Sequence, residues 1–154
     1  MDYFRILVVD DEVDFLETLM NRLQLRQIKA TGVSSGEKAL EMMRQKRFDA
    51  VILDVKMPGG MDGIETLRAM KKIQPHSEII LLTGYASKET SVEGMELGAF
   101  DYVLKPIKLD ELLIKIGEAL EAKSTHDDKM RKGEIKKLIR FPDNIYTQDK
   151  DEQE

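Results

Sequence analysis

Five short apolar runs punctuate the chain: Ile6-Leu7-Val8-Val9, Ala30-Thr31-Gly32-Val33, Ala50-Val51-Ile52-Leu53, Ile79-Ile80-Leu81-Leu82 and Tyr102-Val103-Leu104. Three of them are continuous and aliphatic, as expected of strands buried on both faces of a parallel sheet. Ala30–Val33 is the weakest and suits a sheet edge. The segments between the runs have helical period. Val13, Leu16, Leu19, Met20 and Leu23 make one apolar stripe. Ser35 opens a second helix, with Ala39, Leu40 and Met43 inward. Asp62 caps a third that runs through Ile64, Leu67 and Met70 and ends near Pro75. Leu109, Leu112, Leu113, Ile116 and Leu120 form the last stripe, and Asp110 and Glu111 face its N-terminal dipole. The fourth helix, Ser87–Glu96, has only Val92 and Met95 as strong apolar anchors, with Gly94 costing about 1 kcal/mol relative to alanine. It is expected to be the least stable element.

Strand and helix alternate five times, which predicts an α/β three-layer sandwich: a doubly wound, five-stranded parallel sheet with helices on both faces. The pattern stops after about Ala122. Residues 1–122 are therefore expected to form the folded domain and residues 123–154 a charged extension. Within the extension, residues 129–140 hold six basic residues against one acidic, and residues 141–154 hold five acidic against one basic. Ile135, Leu138 and Ile139 have helical spacing there, so the segment reads either as a short amphipathic helix or as a solvated, disordered extension.

Composition narrows the chemistry. There is no cysteine, which removes disulfides, thiolate metal sites and a cysteine nucleophile. His76 and His126 lie too far apart in sequence to suggest a histidine-rich zinc site. The net charge of −5 argues against whole-domain binding to nucleic acid. No apolar run approaches the roughly 20 residues that span a bilayer, and the first residues lack a signal peptide's pattern. The expectation is a cytoplasmic protein, with no membrane association, that works through carboxylates, hydroxyls and lysines.

Those groups stand where ligands bind in such sheets, outside the carboxyl ends of the strands. Asp10, Asp11 and Glu12 follow the first run, Asp54 the third, Thr83-Gly84 the fourth and Lys105-Pro106 the fifth. Crowded carboxylates repel unless a proton or cation intervenes, and an all-oxygen donor set favours Mg²⁺, with Mn²⁺ an acceptable substitute. A metal and a lysine facing one carboxylate suit phosphoryl transfer, with Asp54 as nucleophile. An acidic turn after the first strand would repel a nucleotide phosphate, and no P-loop occurs.

These stretches, together with Val51-Ile52-Leu53-Asp54-Val55-Lys56-Met57-Pro58, Asp62-Gly63 and Gly98-Ala99-Phe100-Asp101-Tyr102-Val103-Leu104-Lys105-Pro106, resemble the receiver domain of two-component response regulators, with its flavodoxin-like, CheY-like fold. The resemblance covers residues 4 to about 122. It implies that Asp54 accepts a phosphoryl group from a sensor histidine kinase or a histidine phosphotransfer protein. It implies Mg²⁺ ligation by Asp10, Asp11, Asp54 and the Lys56 backbone carbonyl, with Asp10 acting largely through water. Lys105 and Gly84 would bind the phosphoryl group, with a cis Lys105–Pro106 bond. Thr83 and Tyr102 would act as the switch pair, reshaping the fourth helix, fifth strand and fifth helix for a protein target or a phosphorylation-dependent homodimer.

On this reading the chain is a single-domain response regulator without direct DNA binding, a switch and not an enzyme. The alternatives are a carrier in a phosphorelay and an interaction module independent of phosphorylation. A haloacid-dehalogenase-like phosphatase would place an aspartate where Lys56 stands, which counts against it. Two local departures add expectations. The Met57-Pro58-Gly59-Gly60-Met61-Asp62-Gly63 loop is one residue longer than the common family pattern, so the extra glycine is expected to loosen it. Tyr85, at the mouth of the site, either hinders the hydrolytic water or is a solvent-facing ring with no kinetic role.

Overall fold

The computed structural model describes residues 4–57, 59–84 and 88–123. The charged extension beyond Lys123, together with Pro58 and Tyr85, lies outside the described residues. Five strands and five helices alternate: β1 (Ile6–Val9), α1 (Val13–Leu25), β2 (Ala30–Val33), α2 (Gly36–Gln45), β3 (Ala50–Asp54), α3 (Gly63–Ile73), β4 (Glu78–Thr83), α4 (Lys88–Glu96), β5 (Asp101–Leu104) and α5 (Leu109–Lys123). The strands are all parallel, in the order β2-β1-β3-β4-β5. The doubly wound α/β sandwich expected from the apolar pattern is the observed fold. Among the described residues, no helix is long and apolar enough to cross a membrane.

Strand alternation divides the core in two. Ile6, Val8, Ala50, Ile52, Ile80, Leu82 and Val103 face one side, where α1 and α5 cover them with Leu16, Leu19, Leu23, Leu112 and Ile116. Leu7, Val9, Val51, Leu53, Ile79 and Leu81 face the other, under Leu40, Met43, Leu67 and Met70 of α2 and α3. This is why β1, β3 and β4 read as unbroken apolar runs. The edge strands differ: β2 is only partly buried, and β5 leaves Tyr102 and Leu104 at 41% and 55% exposure.

The helix starts follow their caps. The Ser35 hydroxyl accepts from the Lys38 N–H at 3.1 Å. Asp62 forms a full capping box with Glu65, whose carboxylate accepts from the Asp62 N–H in return. The end of α1 has no glycine; Gln27 takes φ 61 instead, and the Ile28 N–H returns to the Leu23 carbonyl.

Two helical expectations need correcting. Val13 was placed in the α1 stripe but is 55% exposed, because it is the helix's first residue and precedes the turn that reaches the sheet. In α4 the expected anchors Val92 and Met95 are exposed, while Gly94 is buried. A Cβ on Gly94 would overlap the Leu81 side chain of β4, so any larger residue there requires that buried side chain to shift. The glycine that lowers helix propensity is the one that allows the helix to dock.

Those two effects make opposite predictions for Gly94→Ala. Helix propensity alone would stabilise the domain by about 1 kcal/mol. Overpacking against the fully buried Leu81 costs about 1–3 kcal/mol and should prevail. Urea unfolding of the variant is therefore expected to show a net loss of stability.

Candidate functional site at the carboxyl edge of the sheet

Strand order reverses between β1 and β3, and their carboxyl ends bring Asp10, Asp11 and Asp54 together. One carboxylate oxygen from each lies within 4.8 Å of the other two. Asp10 is fully buried and Asp54, the last residue of β3, is 4% exposed; Asp11 is half-buried. Lys105 reaches in from the end of β5, where its backbone N–H donates to the Thr83 carbonyl and its bond to Pro106 is cis. The Lys105 ammonium lies 2.9 Å from Asp10 Oδ2, 3.2 Å from Glu12 Oε1 and 3.5 Å from Asp54 Oδ1. Beneath it, the Phe15 ring centroid is 4.4 Å away, near enough for a cation–π contact.

Backbone donors complete the fixation of the carboxylates. Asp10 Oδ1 accepts from the Glu12 N–H at 2.9 Å, and Asp54 Oδ1 accepts from the Lys56 N–H at 3.4 Å. Burial, and then the neighbouring Asp10 charge, push the Asp54 carboxyl up from 3.8 to about 6, although Lys105 and the Lys56 N–H pull the other way. Burial pulls the Lys105 ammonium down, but its hydrogen bond to Asp10 and the charges of Asp54 and Asp10 outweigh that and raise it. One ammonium thus faces a surplus of carboxylate. A hard divalent cation among the three aspartates would supply the missing positive charge, and their oxygen donors fit one.

The remaining residues singled out in the sequence fall around this centre unequally. Thr83 ends β4, is 2% exposed, and its hydroxyl donates to the Gly84 carbonyl at 2.8 Å. Gly84 is exposed, and a Cβ on it would meet nothing within 4 Å among the described residues. Lys56 is exposed and borders the same cavity. Tyr102, by contrast, does not line the cavity and stands out from β5.

Sequence reasoning assigned no site role to Glu12 or Phe15. Glu12 stood in the acidic turn and was legible as a neighbour, whereas Phe15 looked like any other helix residue. The cavity, about 1250 Å³, also runs past the aspartates along α3 and α4, where Arg68 and Glu93 form an ion pair at 4.0 Å.

The glycine-rich loop after β3 is tied down at its far end. Gly59 and Gly60 take φ of 78° and 123°, values that favour glycine. Beyond them the Met61 N–H donates to Glu37 Oε2 of α2 at 3.1 Å, and Met61 packs on the core. Gly63 then sits hard against the Asp54 carbonyl and the Val55 backbone, where a Cβ would lie 2.5 Å and 2.6 Å from them. The longer loop is thus anchored at its far end by Glu37 of α2.

Two measurements follow from this geometry. An unfolded chain ionises Asp54 near 3.8 and the folded one near 6, so ionisation works against folding as pH rises above about 4, fully so above about 6. In chelator, Asp54→Asn should therefore stabilise the domain by about 1–3 kcal/mol at pH 7.5 and by little at pH 4, as read by urea unfolding. Separately, Glu37→Ala should speed amide exchange at Met61 by about five-fold, the worth of one ordinary hydrogen bond, while Glu37→Gln keeps an acceptor and should not.

Comparison with known proteins agrees with the geometry. The family model for the response regulator receiver domain matches residues 6–117. Regulatory protein AtoC of Escherichia coli (strain K12) is 39% identical over 120 residues, 78% of this chain and 26% of AtoC. Transcriptional regulatory protein ZraR of Klebsiella oxytoca is 39% identical over 115 residues, 75% of this chain and 26% of that protein. The chain thus spans about a quarter of the length of these curated relatives. Among solved structures, a response regulator receiver domain protein from Clostridium thermocellum is 34% identical with a TM-score of 0.74, covering 78% of this chain and 96% of that one. A CheY-like receiver domain protein from Methanospirillum hungatei is 32% identical with a TM-score of 0.74, covering 79% and 97%. The chain belongs to the receiver-domain family of two-component response regulators.

Proposed function

We propose that this chain acts in the cytoplasm as a single-domain response regulator in which Asp54 accepts a phosphoryl group from the phosphohistidine of a sensor histidine kinase or histidine phosphotransfer protein. The observation behind the proposal is the placement of Asp54: a nearly buried carboxylate at the switch point of the sheet, facing one ammonium and two further aspartates. An Asp54 oxygen attacks phosphorus, the P–N bond breaks, and the imidazole leaves with the electron pair. Asp10, Asp11 and Asp54, with the Lys56 carbonyl, would hold Mg²⁺ or Mn²⁺. When bound, the ion neutralises charge on the transferring phosphoryl oxygens.

Lys105 is already aimed at Asp54 and needs only to exchange carboxylate contacts for a phosphoryl oxygen. Gly84 lies on the cavity wall, where its backbone N–H could meet another. Thr83 would turn its hydroxyl from the Gly84 carbonyl to the phosphoryl group. Tyr102, now outward, would follow it inward. Val92 and Met95 of α4 and Tyr102 and Leu104 of β5 are large apolar side chains left exposed. Their exposure supports output through a protein target or a phosphorylation-dependent homodimer, and a rearrangement of these elements would be the switch. The same aspartyl phosphate would serve a phosphorelay carrier, which differs only in the next acceptor.

Intact mass after incubation with Mg²⁺ and acetyl phosphate tests the reading. One phosphate adduct is expected, lost in Asp54→Asn and on chelation of the metal. An adduct that survives in Asp54→Asn would place the acceptor elsewhere. No adduct, where a control receiver labels, would favour an interaction module independent of phosphorylation.

A further inference from the structure

As the cation that meets the phosphoryl group, Lys105 has two conflicting tasks. Its ammonium has to stay at the site before the group arrives, and then has to turn to it. In the resting site the ammonium donates to Asp10 at 2.9 Å and to Glu12 at 3.2 Å, whereas the nearest Asp54 oxygen stands at 3.5 Å. Both acceptors are carboxylates, so each holds the cation by neutralising it. The Glu12 side chain is also 66% exposed, and the long flexible stem of a lysine lets such a pair swing outward together. Phe15 is a partner of a different kind.

Phe15 lies in the first turn of α1, immediately before the buried Leu16. That turn is fixed to the acidic cluster: the Glu12 N–H donates to Asp10 Oδ1, and the Leu16 N–H to the Glu12 carbonyl, both at 2.9 Å. The Phe15 ring packs, partly buried, against the core under α1 and α5, and the Lys105 ammonium lies over it, 4.4 Å from the centroid. The Lys105 side chain is only 18% exposed, so the cation has lost much of its water and the ring face replaces part of it. An aromatic quadrupole attracts a cation without cancelling its charge. A leucine in this place would supply the packing beside Leu16 but not that attraction.

We propose that Phe15 is a positioning residue for phosphoryl transfer: its ring face holds the Lys105 ammonium beside Asp54 with its charge intact, so that a phosphoryl oxygen can displace Glu12 and Asp10 without the lysine leaving the site. As charge builds on the transferring oxygens, Lys105 gives up carboxylate contacts and keeps the ring. The ring contact therefore weighs more in the transition state than in the resting site, and its loss slows transfer. This role rests on Asp54 as the phosphoryl acceptor.

The test replaces Phe15 in the full chain with mono-, di- and trifluorinated phenylalanine. Fluorine drains the negative face of the ring while nearly keeping its size, so packing is held and the attraction is graded. Two quantities are read. One is the rate of phosphate adduct formation from acetyl phosphate and Mg²⁺, by intact mass. The other is the ordering of the Lys105 ε-methylene, by carbon relaxation without metal or phosphodonor. Both should fall step by step with fluorination. Phe15→Leu should slow the rate about five-fold, as loss of a cation–π contact of middling strength implies, and trifluorination should account for most of that loss. A rate that stays level across the fluorinated series would overturn the proposal, whether or not Phe15→Leu is slow, because the ring would then act through packing alone. A rate that falls while the ordering of Lys105 holds would overturn it too, since the ring would not be acting through the lysine. No adduct on the unaltered chain, where a control receiver labels, would instead remove the aspartyl phosphate reading and this role with it.

Discussion

The site is organised by one imbalance: Lys105 faces Asp10, Glu12 and Asp54 at once, with Asp11 close by. A buried carboxylate without a partner is costly, and a single ammonium cannot neutralise so many. The fold resists the repulsion by brute placement. Asp54 is the last residue of β3 and Asp10 directly follows β1, with its backbone N–H on the Val33 carbonyl at 3.2 Å, so neither can retreat without disturbing the sheet. The residual strain appears as the raised proton affinity of Asp54. That strain is what a divalent cation among the three aspartates would relieve.

The rest of the architecture delivers this crowding. A parallel sheet with its order reversed between β1 and β3 puts the ends of consecutive strands on one edge. Both faces must be covered, hence the aliphatic strands and the two separate cores. Where an element approaches the site closely, glycine permits it: Gly63 against the Asp54 and Val55 backbone, and Gly94 where α4 meets Leu81. The second case also explains why the apolar residues of α4 stand outside. A helix that docks on its glycine has nowhere inward to put Val92 and Met95. Like Tyr102 and Leu104 of the edge strand, they are left exposed.

Much of this was legible from residue order alone. Short apolar runs marked the strands and the 3.6-residue period marked the helices, α4 least clearly, and the rule that ligands gather at carboxyl strand ends picked out Asp10, Asp11, Asp54, Thr83 and Lys105. What stayed hidden depended on partners distant in sequence. The Phe15 ring under Lys105 and the Glu37 carboxylate on the Met61 N–H are contacts between elements that no local pattern announces. Gln74 is similar: it accepts from the Phe48 N–H and donates to the Met43 and Lys46 carbonyls, pinning α3 to the end of α2.

The sequence by itself determined the element order, the two-sided burial of the central strands and the chemical kinds at the functional edge, because each follows from periodicity or from position after a strand. The tertiary structure alone decided which side chains meet Lys105, which way α4 turns its apolar residues, and how much the Asp54 carboxyl is perturbed. Those quantities are set by distances across the fold. Electrostatic and packing energies change over a few ångströms, and sequence spacing does not report separations of that size between elements.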